Sequence, residues 1–185
     1  NISSPNTPGL RDLHGHDYLE SILHSCNRVR SKKEEQKPYL LKLSPDALDD
    51  EIRSTISFAQ KLGIDGIVAT NTTIKRPIPL TTQSRKAFSS DGGLSGRPLH
   101  SRALEVIHTA YEETDGKIPI VGVGGIDSKD SAWEAIISGA SLIQIYSALV
   151  FNGPTIVSSI VKGLKRRVAE SGFSSIIEAV GYKHI

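Results

Sequence analysis

The sequence predicts an α/β protein built on a parallel sheet. Three observations carry that expectation. Short β-rich apolar runs alternate with stretches of helical spacing from end to end, the alternation repeats four times, and the apolar runs are hydrophobic on both sides. A helix between two strands carries the chain back across the sheet, so successive strands run parallel. An open doubly wound sheet and a (β/α)8 barrel both satisfy this pattern. Eight units of a barrel need about 250 residues, so if the fold is a barrel, part of its wall lies outside these 185 residues.

The elements follow in order. Asn1-Ile2-Ser3 reads as the stub of a strand cut short. Leu19, Ile22, Leu23 and Cys26 line one face of a first helix, with Asp17 as its cap and Glu20 behind it. Residues 31–38 form a mixed-charge, solvated connector. Tyr39-Leu40-Leu41-Lys42-Leu43 is a strand, and Leu48, Ile52, Ile56 and Ala59 line the helix after it, which Gly63 ends. Residues 66–69 make the next strand. Leu104, Ile107 and Tyr111 mark a third helix ending at Gly116, and residues 118–123 a third strand. Ala132, Ala135 and Ile136 mark a fourth helix ended by Gly139, before a strand at 142–145. Ile156, Val157, Ile160, Val161 and Leu164 line a fifth helix opened by Pro154. Two connections, 4–16 and 71–98, exceed the roughly 12–15 residues above which loops in compact domains usually carry function. Both follow strand carboxyl ends, where α/β folds place their chemistry.

Composition narrows the function classes. With 22 Lys+Arg against 20 Asp+Glu the net charge is +2, which lacks the footprint of a dedicated nucleic-acid binder. One cysteine, Cys26, excludes an internal disulfide. The best apolar run, 142–151, is interrupted by Gln144, Tyr146 and Ser147 and falls short of the ~18 residues of a membrane span. The chain opens on Asn1, shows no signal segment there and contains no methionine, so it is expected to be a piece of a longer protein.

The clearest chemical signal is Val121-Gly122-Val123-Gly124-Gly125-Ile126, an apolar strand running into paired glycines, then Asp127, Ser128 and a helix. Glycine lets backbone N–H groups approach an anion, and a helix start adds positive potential. The next strand ends at Tyr146-Ser147, a second set of N–H and hydroxyl donors. A tight turn is the plain reading of Gly124-Gly125; donors at two consecutive strand ends favour a phosphate. Lys42 interrupts an apolar strand, so it either faces water on an edge or partners a group that becomes anionic. Asn1, Asn6 and Asn71, with Thr70, Thr72 and Thr73, fall at strand ends. They make turns, or they read a planar ligand of alternating carbonyl and N–H groups. Ser4 reads on its own as a turn residue, and no Gly-x-Ser-x-Gly elbow is present. The six histidines show no metal-ligand spacing, His14 and His16 being a thin basis for zinc. Gly92-Gly93-Leu94-Ser95-Gly96 is a hinge or a second anion cradle.

Together these segments resemble a known family. Asn1-Ile2-Ser3-Ser4-Pro5-Asn6-Thr7-Pro8-Gly9-Leu10, Lys42, Thr70-Asn71-Thr72-Thr73, Gly92-Gly93-Leu94-Ser95-Gly96, Gly122-Val123-Gly124-Gly125 and Gln144-Ile145-Tyr146-Ser147 occur in the order found in dihydroorotate dehydrogenases. Ser4 at the base position resembles the class 2, quinone-linked form; class 1 carries cysteine there. The resemblance implies a (β/α)8 TIM barrel, of which residues 1–185 are the carboxyl-terminal portion of the FMN-binding catalytic domain. The early barrel and a membrane-associated helical domain would lie outside them. It implies oxidation of dihydroorotate to orotate in pyrimidine biosynthesis, with hydride passing to FMN and electrons to ubiquinone.

By the same resemblance Ser4 is the catalytic base and Thr7 lies on the proton-exit path. Asn1, Asn6, Asn71 and Thr72 bind orotate. Asn1, Lys42, Thr70, Gly96, Gly124, Gly125, Tyr146 and Ser147 hold FMN, Ser147 standing where relatives often have threonine. The expected location is the mitochondrial inner membrane, with the bacterial inner membrane as the alternative, and membrane association is expected through the missing amino-terminal part. Another FMN-dependent barrel oxidoreductase and a non-catalytic flavin- or phosphate-binding barrel are the competing readings.

Overall fold

The computed structural model describes residues 3, 16–77, 82–83, 88–89 and 91–184. Its four strands are β1 (Leu40–Lys42), β2 (Gly66–Ala69), β3 (Ile120–Gly122) and β4 (Leu142–Ile143), all parallel, in the order β1-β2-β3-β4. A doubly wound sheet reverses its strand order at a switch point. This one runs on without reversal, as the wall of a barrel does.

The helices are α1 (His16–Arg30), α2 (Asp49–Lys61), α3 (His100–Glu113) and α4 (Lys129–Ile137), followed by α5 (Ser147–Asn152), α6 (Thr155–Ser171) and α7 (Ile176–Ala179). Among the described residues, no helix is long and apolar enough to cross a membrane.

The core lies between sheet and helices. Leu41, Ile67 and Ile120 from the strands meet Ile52, Ile56 and Ala59 of α2, Val106, Ile107 and Ala110 of α3, and Ala132 and Ala135 of α4. A smaller cluster gathers Trp133, Ile136 and Ala179 where α7 closes over α4.

β2 keeps its expected bounds, while β1 and β3 are shorter than their apolar runs at both ends and β4 is shorter at its carboxyl end. Single hydrogen bonds continue the pairing past the carboxyl ends of β1 and β4, Leu43 N–H to Val68 O at 3.0 Å and Gln144 N–H to Gly122 O at 2.9 Å. Asp17 lies inside the first turn of α1 rather than capping it, a placement the helix dipole still favours. Leu48 is not on the buried face of α2: it is the N-cap, 69% exposed, and its N–H donates to the Glu51 carboxylate at 2.9 Å. Val157 and Val161 are also exposed, at 50% and 45%. The buried stripe of α6 runs instead through Ile156, Ile160 and Gly163, where the Lys129 side chain lies so close that a Cβ on residue 163 would meet it at 2.3 Å. Periodicity did not foresee α5, which inserts between β4 and α6.

One polar network ties α1 to the sheet. Asp65, just before β2, accepts from the Tyr39 N–H at 2.9 Å and from Arg30 at 2.6 and 3.2 Å. The Tyr39 hydroxyl donates to Asn27 Oδ1 at 2.9 Å, and Asn27 Nδ2 donates to Leu62 O at 2.9 Å. The Tyr39 N–H, with the Arg30 guanidinium beside it, holds the Asp65 carboxyl below its ordinary range against the opposing effect of burial. A carboxyl that protonates less readily when folded stabilises the fold fully above the ordinary value, about 4, and loses that contribution as pH falls through its lowered native value. Asp65→Asn should cost about 2 kcal/mol at neutral pH and flatten the acid side of the stability profile. Denaturant melts of both proteins between neutral and acid pH check this; an unchanged acid limb contradicts it.

Candidate active site

Parallel strands put all four carboxyl ends at one end of the sheet. Lys42 ends β1, Thr70-Asn71-Thr72 follows β2, Gly124-Gly125 follows β3 and Tyr146-Ser147 follows β4. These ends open on a cavity of about 820 Å³. All nine sequence-predicted site residues that fall among the described residues line it: Lys42, Thr70, Asn71, Thr72, Gly96, Gly124, Gly125, Tyr146 and Ser147. Asn1, Ser4, Asn6 and Thr7 lie outside the described residues.

The glycine turn is built by close approach. A Cβ on Gly124 would fall 2.6 Å from Ala103 Cβ of α3, and one on Gly125 would fall 2.7 Å from His100 Cβ and 2.8 Å from Gly96 O. Gly124 and Gly125 also have φ of +145° and +65°, which side-chain-bearing residues avoid. Gly96, φ +79°, precedes a 3-10 turn (Arg97–Leu99) that leads into α3, so the second long loop arrives beside the first glycine turn. The Ser95 and Ser147 hydroxyls, 2.7 Å apart, join that loop to the start of α5. The backbone N–H groups of Gly96, Gly125, Tyr146 and Ser147 have no partner among the described residues.

At the start of α4, Ser128 Oγ accepts the Ser131 N–H at 3.2 Å, while the Ser131 hydroxyl accepts the Ser128 N–H at 3.0 Å, a reciprocal cap. After β4, Tyr146 is 74% exposed and the Ser147 hydroxyl is paired with that of Ser95.

Charge around the cavity favours an anion. Its lining contains two cations, Lys42 and Arg97, and one carboxylate, Asp127, which Arg97 pairs at 3.0 and 2.9 Å. Lys42 is half-buried, with no ion pair among the described residues. The strand therefore brings a cation to the cavity wall rather than to open water.

The polar end of the cavity is held rigidly. Thr70 N–H donates to Val123 O at 2.7 Å, and Val123 N–H donates to Ala69 O at 2.6 Å. Asn71 N–H donates to Leu43 O at 2.9 Å; its side chain accepts from Thr72 N–H at 2.8 Å and donates to the fully buried Ser3 hydroxyl at 3.1 Å. The described residues of the 71–98 connection are stapled together. Thr73 and Leu94 exchange both backbone hydrogen bonds, Asp46 accepts from the Thr73 hydroxyl and the Ile74 N–H, and Arg76 donates to Thr73 O, Phe88 O and Gly92 O. Gly92–Gly96 is thus fastened on both sides, and its contribution to the cradle is the Gly96 end. Sequence reasoning missed Asp46, Arg76, His100 and the Arg97–Asp127 pair. No local signal marks them, because their partners lie 27 or more residues away or on backbone atoms. Among the described residues, no group of three or more His, Cys, Asp or Glu side chains could hold a metal ion.

Comparison with known proteins gives the family. The family model described as dihydroorotate dehydrogenase matches residues 1–168. Relatives named dihydroorotate dehydrogenase (quinone) from Rippkaea orientalis and Trichodesmium erythraeum are 45% and 46% identical, over 100% and 98% of this chain and 49% and 48% of their own length. Crystal structures of DHODH from Eimeria tenella, with ferulenol and ligand-free, match with TM-scores of 0.91 and 0.92 at 30% and 32% identity. They are matched over 100% of this chain and over 53% and 55% of theirs. The chain thus spans about half the length of its curated relatives, and its parallel βα units are those of a TIM barrel. By sequence and by fold alike, the chain belongs to the dihydroorotate dehydrogenase family.

Proposed function

We propose that these residues are the carboxyl-terminal portion of an FMN-binding (β/α)8 catalytic domain whose whole enzyme oxidises dihydroorotate to orotate and passes the electrons to a quinone. The observation that carries this reading is the convergence of four consecutive strand ends, with Lys42, Asn71, Gly125 and Ser147, on one cavity. Relatives named for the quinone-linked enzyme support it at 42–46% identity.

The donor set suits FMN. A phosphate monoester needs convergent N–H donors and little competing negative charge, which Gly96, Gly125, Tyr146 and Ser147 would supply beside the neutralised Asp127. Val123, Leu94 and Ile145 offer apolar wall for a flat ring system. The chemistry supplied by bound FMN is acceptance of a hydride from the substrate ring and release of the electrons to the quinone.

Everything else falls to the chain. Lys42 places positive charge where reduction makes negative charge, which favours the reduced state. Asn71 and Thr72, with Asn1 and Asn6, hold the pyrimidine by its alternating carbonyl and N–H groups. Ser4 takes the proton from the ring carbon beside a carbonyl, and Thr7 relays it outward. Serine is a weak base in water, so this step needs a pocket from which water is excluded, and closure of that pocket is assigned to the 4–16 connection by its length and its place after a strand.

The amino-terminal part of the enzyme would supply the remaining barrel, the quinone site and attachment to a membrane. Of the two membranes expected from the sequence, the mostly bacterial relatives favour the bacterial inner membrane over the mitochondrial one.

Two experiments on the full-length enzyme test the proposal. Ser4→Ala should slow flavin reduction by dihydroorotate about 10²–10⁴-fold with FMN content unchanged; stopped-flow reduction near the wild-type rate would remove Ser4 from the mechanism. Lys42→Ala should weaken FMN retention or slow its reduction by about tenfold, the worth of one charge-assisted hydrogen bond. Unchanged occupancy together with unchanged reduction kinetics would contradict a Lys42 contact with the flavin.

A further inference from the structure

The glycine turn is held from behind by a side chain that the proposed chemistry does not use. The ring of His100, the first residue of α3, stands between two elements. Its Nδ1 lies 3.1 Å from the carbonyl oxygen of Gly124, and its Nε2 lies 3.0 Å from Glu134 Oε2 on α4. The His100 side chain is only 16% exposed. A carbonyl oxygen can only accept, so Nδ1 carries a proton and donates to it. Nε2, on the far side of the ring, stands at hydrogen-bond distance from the carboxylate and anchors the ring to α4.

The geometry of a trans peptide then decides where the next donor points. The C=O and N–H of one peptide unit face opposite ways, and the Gly124–Gly125 bond is trans. Tying the Gly124 oxygen back to His100 turns the Gly125 N–H away from α3, and Gly125 lines the cavity. The turn rests directly on this residue, since a Cβ at position 125 would lie 2.7 Å from His100 Cβ and 3.0 Å from its Cα.

We infer that His100, anchored by Glu134, is a positioning residue for a phosphate monoester: it sets the Gly124–Gly125 peptide so that the Gly125 N–H faces the anion. This rests on reading the cavity as the FMN site, with the flavin's phosphate in the cradle. His100 itself is not among the residues lining the cavity, so its effect would reach the anion only through the Gly124–Gly125 peptide.

Riboflavin, which is FMN without its phosphate, isolates that effect. Fluorescence titration of the full-length apoprotein should show the wild type binding FMN much more tightly than riboflavin. His100→Ala should weaken FMN binding about tenfold and leave riboflavin within twofold of wild type. His100→Asn, whose amide can donate from the Nδ1 position, should recover most of the loss. Glu134→Ala, which keeps the ring but removes its anchor, should fall between wild type and His100→Ala, and it serves if His100→Ala does not fold. A wild type that prefers FMN, with variants that keep the same FMN-to-riboflavin ratio, would overturn the role of His100. A wild type that binds both flavins equally would instead overturn the phosphate reading of the cavity, and the inference with it.

Discussion

The direct contact between α3 and the turn after β3 is the constraint on which the site depends. It exists because three positions lack side chains. A Cβ on Gly122 would meet Ala140 Cβ at 2.9 Å and Ile107 Cδ1 at 3.1 Å; Gly124 would meet Ala103, and Gly125 would meet His100. Interiors packed at crystalline density have no room for even one added methyl group. The same closeness brings Gly96 beside Gly125, because the 3-10 turn that ends the second long loop runs straight into α3. Two loops distant in sequence therefore bring backbone N–H groups without a partner among the described residues to the lining of one cavity.

Rigidity around that point comes from polar bonds rather than from more apolar packing. Asp46 and Arg76 fasten the described residues of the 71–98 connection, Ser95 and Ser147 join its far end to α5, and Ser128 with Ser131 closes the start of α4. A backbone cradle needs this, since donors fixed in place gain more from an anion than donors that must first be ordered. Lys42 adds charge without breaking the pattern: its strand keeps Leu41 and Leu43 in the core while the lysine, between them, comes out at the cavity.

Much of this was legible in the chain, and the reasons are local. Helix and strand periods are short-range, so α2, α3 and α4 and all four strands appear where Ile52, Ile107, Ala135, Ile67 and Ile120 repeat at the right spacing. Gly63, Gly116 and Gly139 mark their ends through positive φ. Paired glycines after a strand point to the cradle for the same reason, since only backbone can fill that space. Lys42 alone left edge and cofactor readings open, and Asn71 alone read as a turn; the segments became decisive only in the order that a family shares. What stayed hidden is non-local. His100 meets Glu134 across 34 residues and Asp46 meets Ile74 across 28, and neither pairing leaves a period or a motif. Leu48, Val157 and Val161 stand at helical spacing yet lie in water, Leu48 because it is a cap and the valines because the buried stripe of α6 runs through Ile156, Ile160 and Gly163.

Amide hydrogen exchange on the full-length apoenzyme, with and without FMN, tests the backbone cradle most directly, because it reads the donors themselves. The cradle requires exchange to slow at Gly96, Gly125, Tyr146 and Ser147 when FMN binds, and to stay near the unliganded rate at those four amides when riboflavin binds instead. Slowing that spares these four, or that riboflavin produces equally well, would contradict it.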